Sequence, residues 1–202
     1  PALTTTSAPF GTSSAAHRVV RLMKAITYSQ TGDTSVLQLH DREVPDPDVG
    51  QVRVRIVLSG VNPTDWKHRK GTSPGQHLEF PEVVPHHDGA GVVDAVGAGV
   101  TDLAVGDRVW VFMAQHQRPD GTAQEYVVLP VASVVPLPDS VGFDVGASLG
   151  VPAITAHRAL TVAENWPSRL APGALAGATV LVAGGAGAVG HAAIQLARWA
   201  GA

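Results

Sequence analysis

The chain has no cysteine. That one absence removes disulfide bridges, thiolate nucleophiles and every cysteine-ligated zinc site from consideration. Charge is sparse too: Asp, Glu, Lys and Arg make up 15% of 202 residues, 17 acidic against 14 basic, for a formal net charge of −3. The two signs are well mixed and form no basic face, so nucleic acid is not an expected partner. Long apolar runs are missing as well. None approaches the ~18 residues that a bilayer-spanning helix needs, because 22 glycines and 15 prolines keep interrupting the apolar stretches. A soluble cytoplasmic protein without a membrane partner is the expectation, and 45% hydrophobic residues supply a normal packed core.

What is present divides into three parts. Residues 1–22, "PALTTTSAPFGTSSAAHRVVRL", are rich in Ser, Thr and Ala, hold no acidic residue and show no sustained period. They read as a disordered leader ahead of Met23. From Met23 to Leu149 the pattern is one of short strands broken by Gly, Pro and Asp turns. In "QVRVRIV", Val52, Val54 and Ile56 alternate with Arg53 and Arg55, the period-2 mark of a half-buried strand. "AGVVDAV", "DRVWVFM" and "AQEYVVL" repeat the theme, which predicts a closed or sandwiched antiparallel sheet over 23–149. The period changes near Gly150. "VPAITAHRALTVAENW" is expected to be a connecting helix, with Ile154, His157 and Leu160 on one face.

The last part, 150–202, carries the chemistry. "TVLVA" is expected to be a short buried strand, and Val189, Ala192, Ala193, Leu196, Ala197 and Ala200 make an apolar helical stripe. Between them Gly185, Gly187 and Gly190 form G-x-G-x-x-G. Glycine there permits a tight turn and lets a pyrophosphate approach amide N–H groups at the positive end of the helix. Gly185, Gly187, Ala188, Val189 and Gly190 are therefore the candidate dinucleotide-binding residues.

"MKAITYSQTGDTSVLQLHD", "GVNPTDWKHRKG", "PHHDGAGVVDAVGAGVTDLAVGDRV", "AQEYVVLP", "PLPDSVGFDVGASLGVPAITAHRAL" and the glycine turn together resemble the medium-chain dehydrogenase/reductase superfamily. The resemblance runs from Met23 to Ala202 and is to the zinc-free branch of quinone oxidoreductases related to zeta-crystallin. It implies a β-rich GroES-like barrel domain over 23–149, followed by the start of an α/β Rossmann domain, with the active site in the cleft between them. The branch places two glycines side by side where this chain has Gly187 and Ala188, while Gln195 and Arg198 fall where a Gln-x-x-basic element is expected. The resemblance also implies site residues. Asn62 is the expected catalytic polar contact and a cofactor contact, and Thr155 matches a threonine beside the nicotinamide. Asp65 is expected to organise the loop. Trp66 stands where relatives often have tyrosine, and its indole can stack on a flat substrate but offers no acidic proton. At the positions of the zinc-ligating residues of metal-dependent relatives stand Asn62, the trio His86, His87 and Asp88, and Val151. Catalytic zinc needs about three protein ligands, so no metal is expected.

These readings converge on an NAD(P)H-dependent oxidoreductase that passes hydride to quinones or α,β-unsaturated carbonyl compounds, with NADPH as expected cofactor and NADH left open. An enoyl reductase, a zinc-less alcohol dehydrogenase relative and a non-catalytic nucleotide-binding or structural protein are the alternatives, and a homodimer is compatible with each. A Rossmann domain stacks several parallel strands. With only its first βα unit in view, the 202-residue chain is expected to belong to a longer protein and to be a poor catalyst alone.

Overall fold

The computed structural model describes residues 20–71 and 76–202. Seven strands and four α-helices are formed among them. β1 (Leu22–Thr27) and β2 (Gln38–Glu43) pair as an antiparallel ribbon, with Leu22 opposite Glu43. β3 (Gln51–Gly60), β4 (Asp88–Val96), β5 (Arg108–Val111), β6 (Tyr126–Pro130) and β7 (Val134–Pro136) build a curled five-stranded antiparallel sheet in the order β6-β3-β4-β5-β7. The ribbon joins it through backbone bonds from Ile26 N–H to Ala123 O at 2.9 Å and from Glu125 N–H to Lys24 O at 3.1 Å. This is the half-barrel of a GroES-like domain.

The alternation in β3 explains its place at the centre. Val52 and Val54 are fully buried, and they pack with Val93, Val109, Val111, Val127 and Leu129 from the neighbouring strands. Arg53, on the other face, meets Asp94 at 2.7 Å and Asp46 at 2.9 Å, so its charge stays neutralised at the sheet surface. Valine-rich alternation thus yields one dry face, and each buried valine contributes roughly 1.5–3 kcal/mol of transfer free energy.

A second core lies outside the sheet. α3 (Gly150–Ala159) and α4 (Ala188–Trp199) pack together, and Ala156, Leu160, Leu170, Leu175, Ala193, Ala197 and Ala200 are buried between them and the loop that joins them. The small residues of α4 let its backbone approach α3 closely, so the stripe expected to lie on a sheet packs here against a helix and the joining loop. Val189, at the head of that stripe, is 38% exposed.

Several expectations need correction. The expected leader extends through residue 22, yet β1 begins at Leu22, and Arg21 is held by a hydrogen bond and a stacking contact to Tyr126. Residues 1–19 lie outside the described residues. The connecting helix stops at Ala159 instead of reaching Trp166, and its buried row is Pro152, Ala156 and Leu160 rather than Ile154, which is 39% exposed. Residues 179–183 form no strand, since no neighbouring strand is present among the described residues to complete a ladder, and Leu181 is 95% exposed. Two helices were not anticipated: α1 (Pro63–Lys70) and the short α2 (Phe143–Ala147).

Candidate functional site

A cleft of about 640 Å³ separates the start of α1 from the glycine turn. Asn62 and Pro63 line it on one side, Val151, Pro152 and Leu160 on another, and Gly184 with Gly187, Ala188, Val189 and Gly190 on the third. Four of the five expected cofactor residues of the turn therefore face one space with Asn62. The fifth, Gly185, packs elsewhere: a methyl added there would sit 2.8 Å from Ile194 Cδ1 on α4.

The turn is built to leave donors free. Gly184 adopts φ +71°, and Gly187 caps α4 with extended backbone while its N–H reaches Gly184 O at 2.9 Å. The helical ladder opens with His191 N–H donating to Gly187 O at 2.8 Å. The amides of Ala188, Val189 and Gly190 precede that bond and have no acceptor within the helix. They lie at the positive end of the α4 dipole, which suits a phosphate. Gly190 makes the approach possible, for a Cβ there would stand 2.3 Å from Gly184 O and 2.8 Å from Gly184 C. The residues present thus fit a dinucleotide: a backbone cradle, a positive helix end and a cleft of ligand size.

Across the cleft, α1 is started by its own sequence. Asn62 is the N-cap with extended backbone, Pro63 occupies the first helical position, and Asp65 at the third receives the Asn62 backbone N–H on Oδ2 at 2.6 Å. The basic run Lys67, His68, Arg69 and Lys70 falls in the last turn, where it favours the dipole. Asn62 is 7% exposed and Asp65 4%. The Asn62 amide nitrogen donates to Asp88 Oδ2 at 2.8 Å. Burial pushes the Asp65 carboxyl up to about 6, opposed by the Asn62 N–H and reinforced by the charge of Asp88. Burial raises Asp88 as well, against the N–H groups of Val151 and Asn62.

The remaining expected residues are placed differently. Trp66 is 46% exposed, with the Lys67 ammonium 5.8 Å from its ring centre, and is not among the residues lining the cleft. Thr155 is exposed on α3 and does not line the cleft either. Sequence reasoning missed Trp166, which does line it; Asn165 just before it adopts a left-handed φ of +65°. An Asn in that backbone is a turn signal that was available.

The two histidines part company. Thr122 Oγ1 donates to Asp88 O at 2.5 Å, so it accepts from Ser59 Oγ at 2.8 Å, and Ser59 in turn accepts from His86 Nδ1 at 2.8 Å. His86 therefore carries its proton on Nδ1, and burial keeps it below the usual histidine range. His87 lines a separate cavity with Thr64, His68 and His116, and burial followed by the charges of His68 and His116 lowers its proton affinity. Among the described residues no three His, Cys, Asp or Glu side chains are grouped to hold a metal ion.

Comparison with known proteins bears on the fold and the family. Residues 48–139 match the alcohol dehydrogenase GroES-like domain. A quinone oxidoreductase of Lama guanicoe is 39% identical over 180 residues, which are 88% of this chain and 50% of that protein. A 2-methylene-furan-3-one reductase of Solanum lycopersicum is 34% identical over 181 residues, 87% of this chain and 44% of its own. A mycobacterial protein solved in complex with NADPH superposes with a TM-score of 0.66 at 33% identity, covering 86% of this chain and 48% of that one. The chain spans about half the length of the curated relatives it matches.

Proposed function

Because the chain belongs to the medium-chain dehydrogenase/reductase superfamily, we propose that it serves an NADPH-dependent oxidoreductase that passes hydride to quinones or conjugated enones without a metal. One observation carries the reading: Asn62 and Ala188, Val189 and Gly190, whose amides have no acceptor within α4, line the same cleft.

When bound, the nicotinamide supplies the hydride. The amides of Ala188, Val189 and Gly190 would hold the pyrophosphate, and the apolar wall of Val151, Pro152 and Leu160 would keep water from the reacting pair. A quinone or enone spreads the arriving charge through its own conjugation, so it needs hydrogen-bond donors more than a Lewis acid. Asn62 offers one. One N–H of its amide is committed to Asp88, and the other donates to the oxygen on which negative charge develops. The donor set at the positions where metal-dependent relatives hold zinc is poor for a metal: Asn62 is a neutral amide and Val151 has no ligating atom. Trp66 lies outside the cleft and its indole is no proton donor, so the proton reaches the reduced product from solvent after the hydride has moved. The NADPH complex of a relative supports the choice of cofactor, and the furanone reductase supports an enone acceptor beside the quinone.

The test is NADPH oxidation by the protein that carries this chain, with 1,4-benzoquinone and with a simple enone, before and after chelation. Turnover that survives the chelator is expected. Cofactor binding with no turnover on either acceptor would contradict the reading and leave a nucleotide binder.

A further inference from the structure

We propose that Asp88 is the positioning residue of the cleft, its buried carboxylate locking the Asn62 amide and the first turn of α3 into one geometry; the proposal rests on the role given to Asn62 above. Asp88 opens β4 and is fully buried. A single oxygen, Oδ2, accepts from Asn62 Nδ2 at 2.8 Å and from Val151 N–H at 2.8 Å. Those donors belong to different elements that line the cleft side by side, one capping α1 and the other starting α3.

The slot that holds the carboxylate is shaped for it. A Cβ at Gly150 would stand 2.1 Å from Asp88 Oδ1, and one at Gly60 would stand 3.0 Å from Asp88 Cβ and 2.1 Å from Ala147 O. Glycine at both positions leaves room for a carboxylate and for nothing longer. An ionised carboxylate only accepts hydrogen bonds, so it decides which end of the Asn62 amide faces it. The amide must present nitrogen to Asp88, and its second N–H is thereby held at the cleft. Without Asp88 the amide nitrogen loses its acceptor and only the capping contact of the Asn62 side chain with the Asp65 backbone holds it, so its second N–H is no longer fixed at the cleft. Asp88 Oδ1 has no hydrogen-bond partner among the described residues. A carboxyl group kept in a glycine-walled slot with one oxygen unpaired is a costly arrangement for packing alone. Because Val151 N–H shares Oδ2, a displaced carboxylate also moves the wall formed by Val151 and Pro152.

The experiment compares Asp88→Ala and Asp88→Asn in the protein that carries this chain. The asparagine oxygen can still accept from both donors; alanine accepts from neither. Asp88→Ala is expected to lower kcat about 10- to 100-fold, the scale of an ångström-level misplacement, with the dissociation constant for NADPH nearly unchanged. Asp88→Asn is expected to restore most of kcat. Equal kcat in the alanine variant and the parent overturns the proposal, as does a fall in kcat that tracks thermal stability across both variants. Should the variants not fold, the unsubstituted protein that carries this chain decides by NMR. The Asn62 side-chain amide and the Val151 amide should be protected from exchange and should shift together as one carboxyl titrates. A freely exchanging Asn62 amide overturns the proposal. The NMR result does not depend on turnover, so absence of quinone and enone reduction refutes the proposed activity separately.

Discussion

A pair of methyl groups, placed three residues apart, separates packing from ligand recognition in the glycine turn. At Gly190 an added Cβ meets only backbone: Gly184 O at 2.3 Å, Gly184 C at 2.8 Å and Gly185 Cα at 2.9 Å. No side chain can swing aside, so α4 itself must move away from the turn. That helix supplies Ala193 and Ala197 to the second core, with Ala200 at its C-cap, and the shift loosens all three. Overpacking of this kind costs about 1–3 kcal/mol, while replacing a helical glycine by alanine returns up to ~1 kcal/mol. Gly190→Ala should therefore be destabilised by about 1–2 kcal/mol and should also bind NADPH poorly, because its cradle amides are displaced. Gly187 differs. Its φ is −78° and its added Cβ would lie 3.4 Å from Gly184 O, a tight but available position. Gly187→Ala should keep its stability within about 1 kcal/mol and lose about tenfold or more in NADPH affinity, since the methyl stands where a phosphate approaches the amides. Denaturant unfolding measures the first quantity and calorimetric titration the second, both in the protein that carries this chain. Parent-like NADPH affinity in Gly187→Ala, or parent-like stability in Gly190→Ala, would refute the reasoning.

Other consequences follow from the same geometry. Asn62→Ala should lower quinone turnover by about 10²-fold, the usual loss for one oxyanion donor, with a smaller effect on cofactor affinity; unchanged turnover removes Asn62 from the chemistry. Asp65, raised from 3.8 to about 6, makes the folded state hold a proton that the unfolded chain has lost. Its contribution to stability is full below pH 3.8 and falls away as pH rises through about 6, by roughly 2–3 kcal/mol. Unfolding curves from pH 4 to 7 should therefore fall less steeply for Asp65→Asn than for the parent, and parallel curves would show that Asp65 is not buried as described. Leu160, 5% exposed between α3 and α4, should cost about 2–4 kcal/mol as Leu160→Ala; a loss below about 1 kcal/mol would mean that the second core is not packed.

The sheet was legible because both sides of it are governed by local pattern. Val52 and Val54 sit on a central strand with neighbours on each flank, so alternation and burial coincide. The stripe of α4 was legible for the same reason, with Ala193 and Ala197 one turn apart. α1 was not, because its eight residues hold almost no apolar side chain and so carry no period. Its signal was instead the capping pattern Asn62, Pro63, Asp65. α3 was read as too long because nothing between Leu160 and Pro167 breaks a helix outright, whereas the chain turns to bury Leu170 and Leu175. Residues 179–183 have the composition of a buried strand, but a strand exists only with a partner. In the site, the glycine turn could be read because its chemistry lies in consecutive residues. Asp88 could not, since its partners Asn62 and Val151 stand 26 and 63 residues away and meet only once the barrel and α3 have packed.

The central claim is that a reduced nicotinamide dinucleotide lies in the cleft with its phosphates on the α4 amides and its reactive end toward Asn62. Titration of the protein that carries this chain with NADPH, followed residue by residue in amide NMR spectra, tests it most directly. The largest shifts should fall on the backbone amides of Gly187, Ala188, Val189 and Gly190, together with the side-chain amide of Asn62. Silence at those residues while shifts gather elsewhere, for example around His68, His87 and His116, would contradict the account, as would a spectrum that NADPH leaves unchanged.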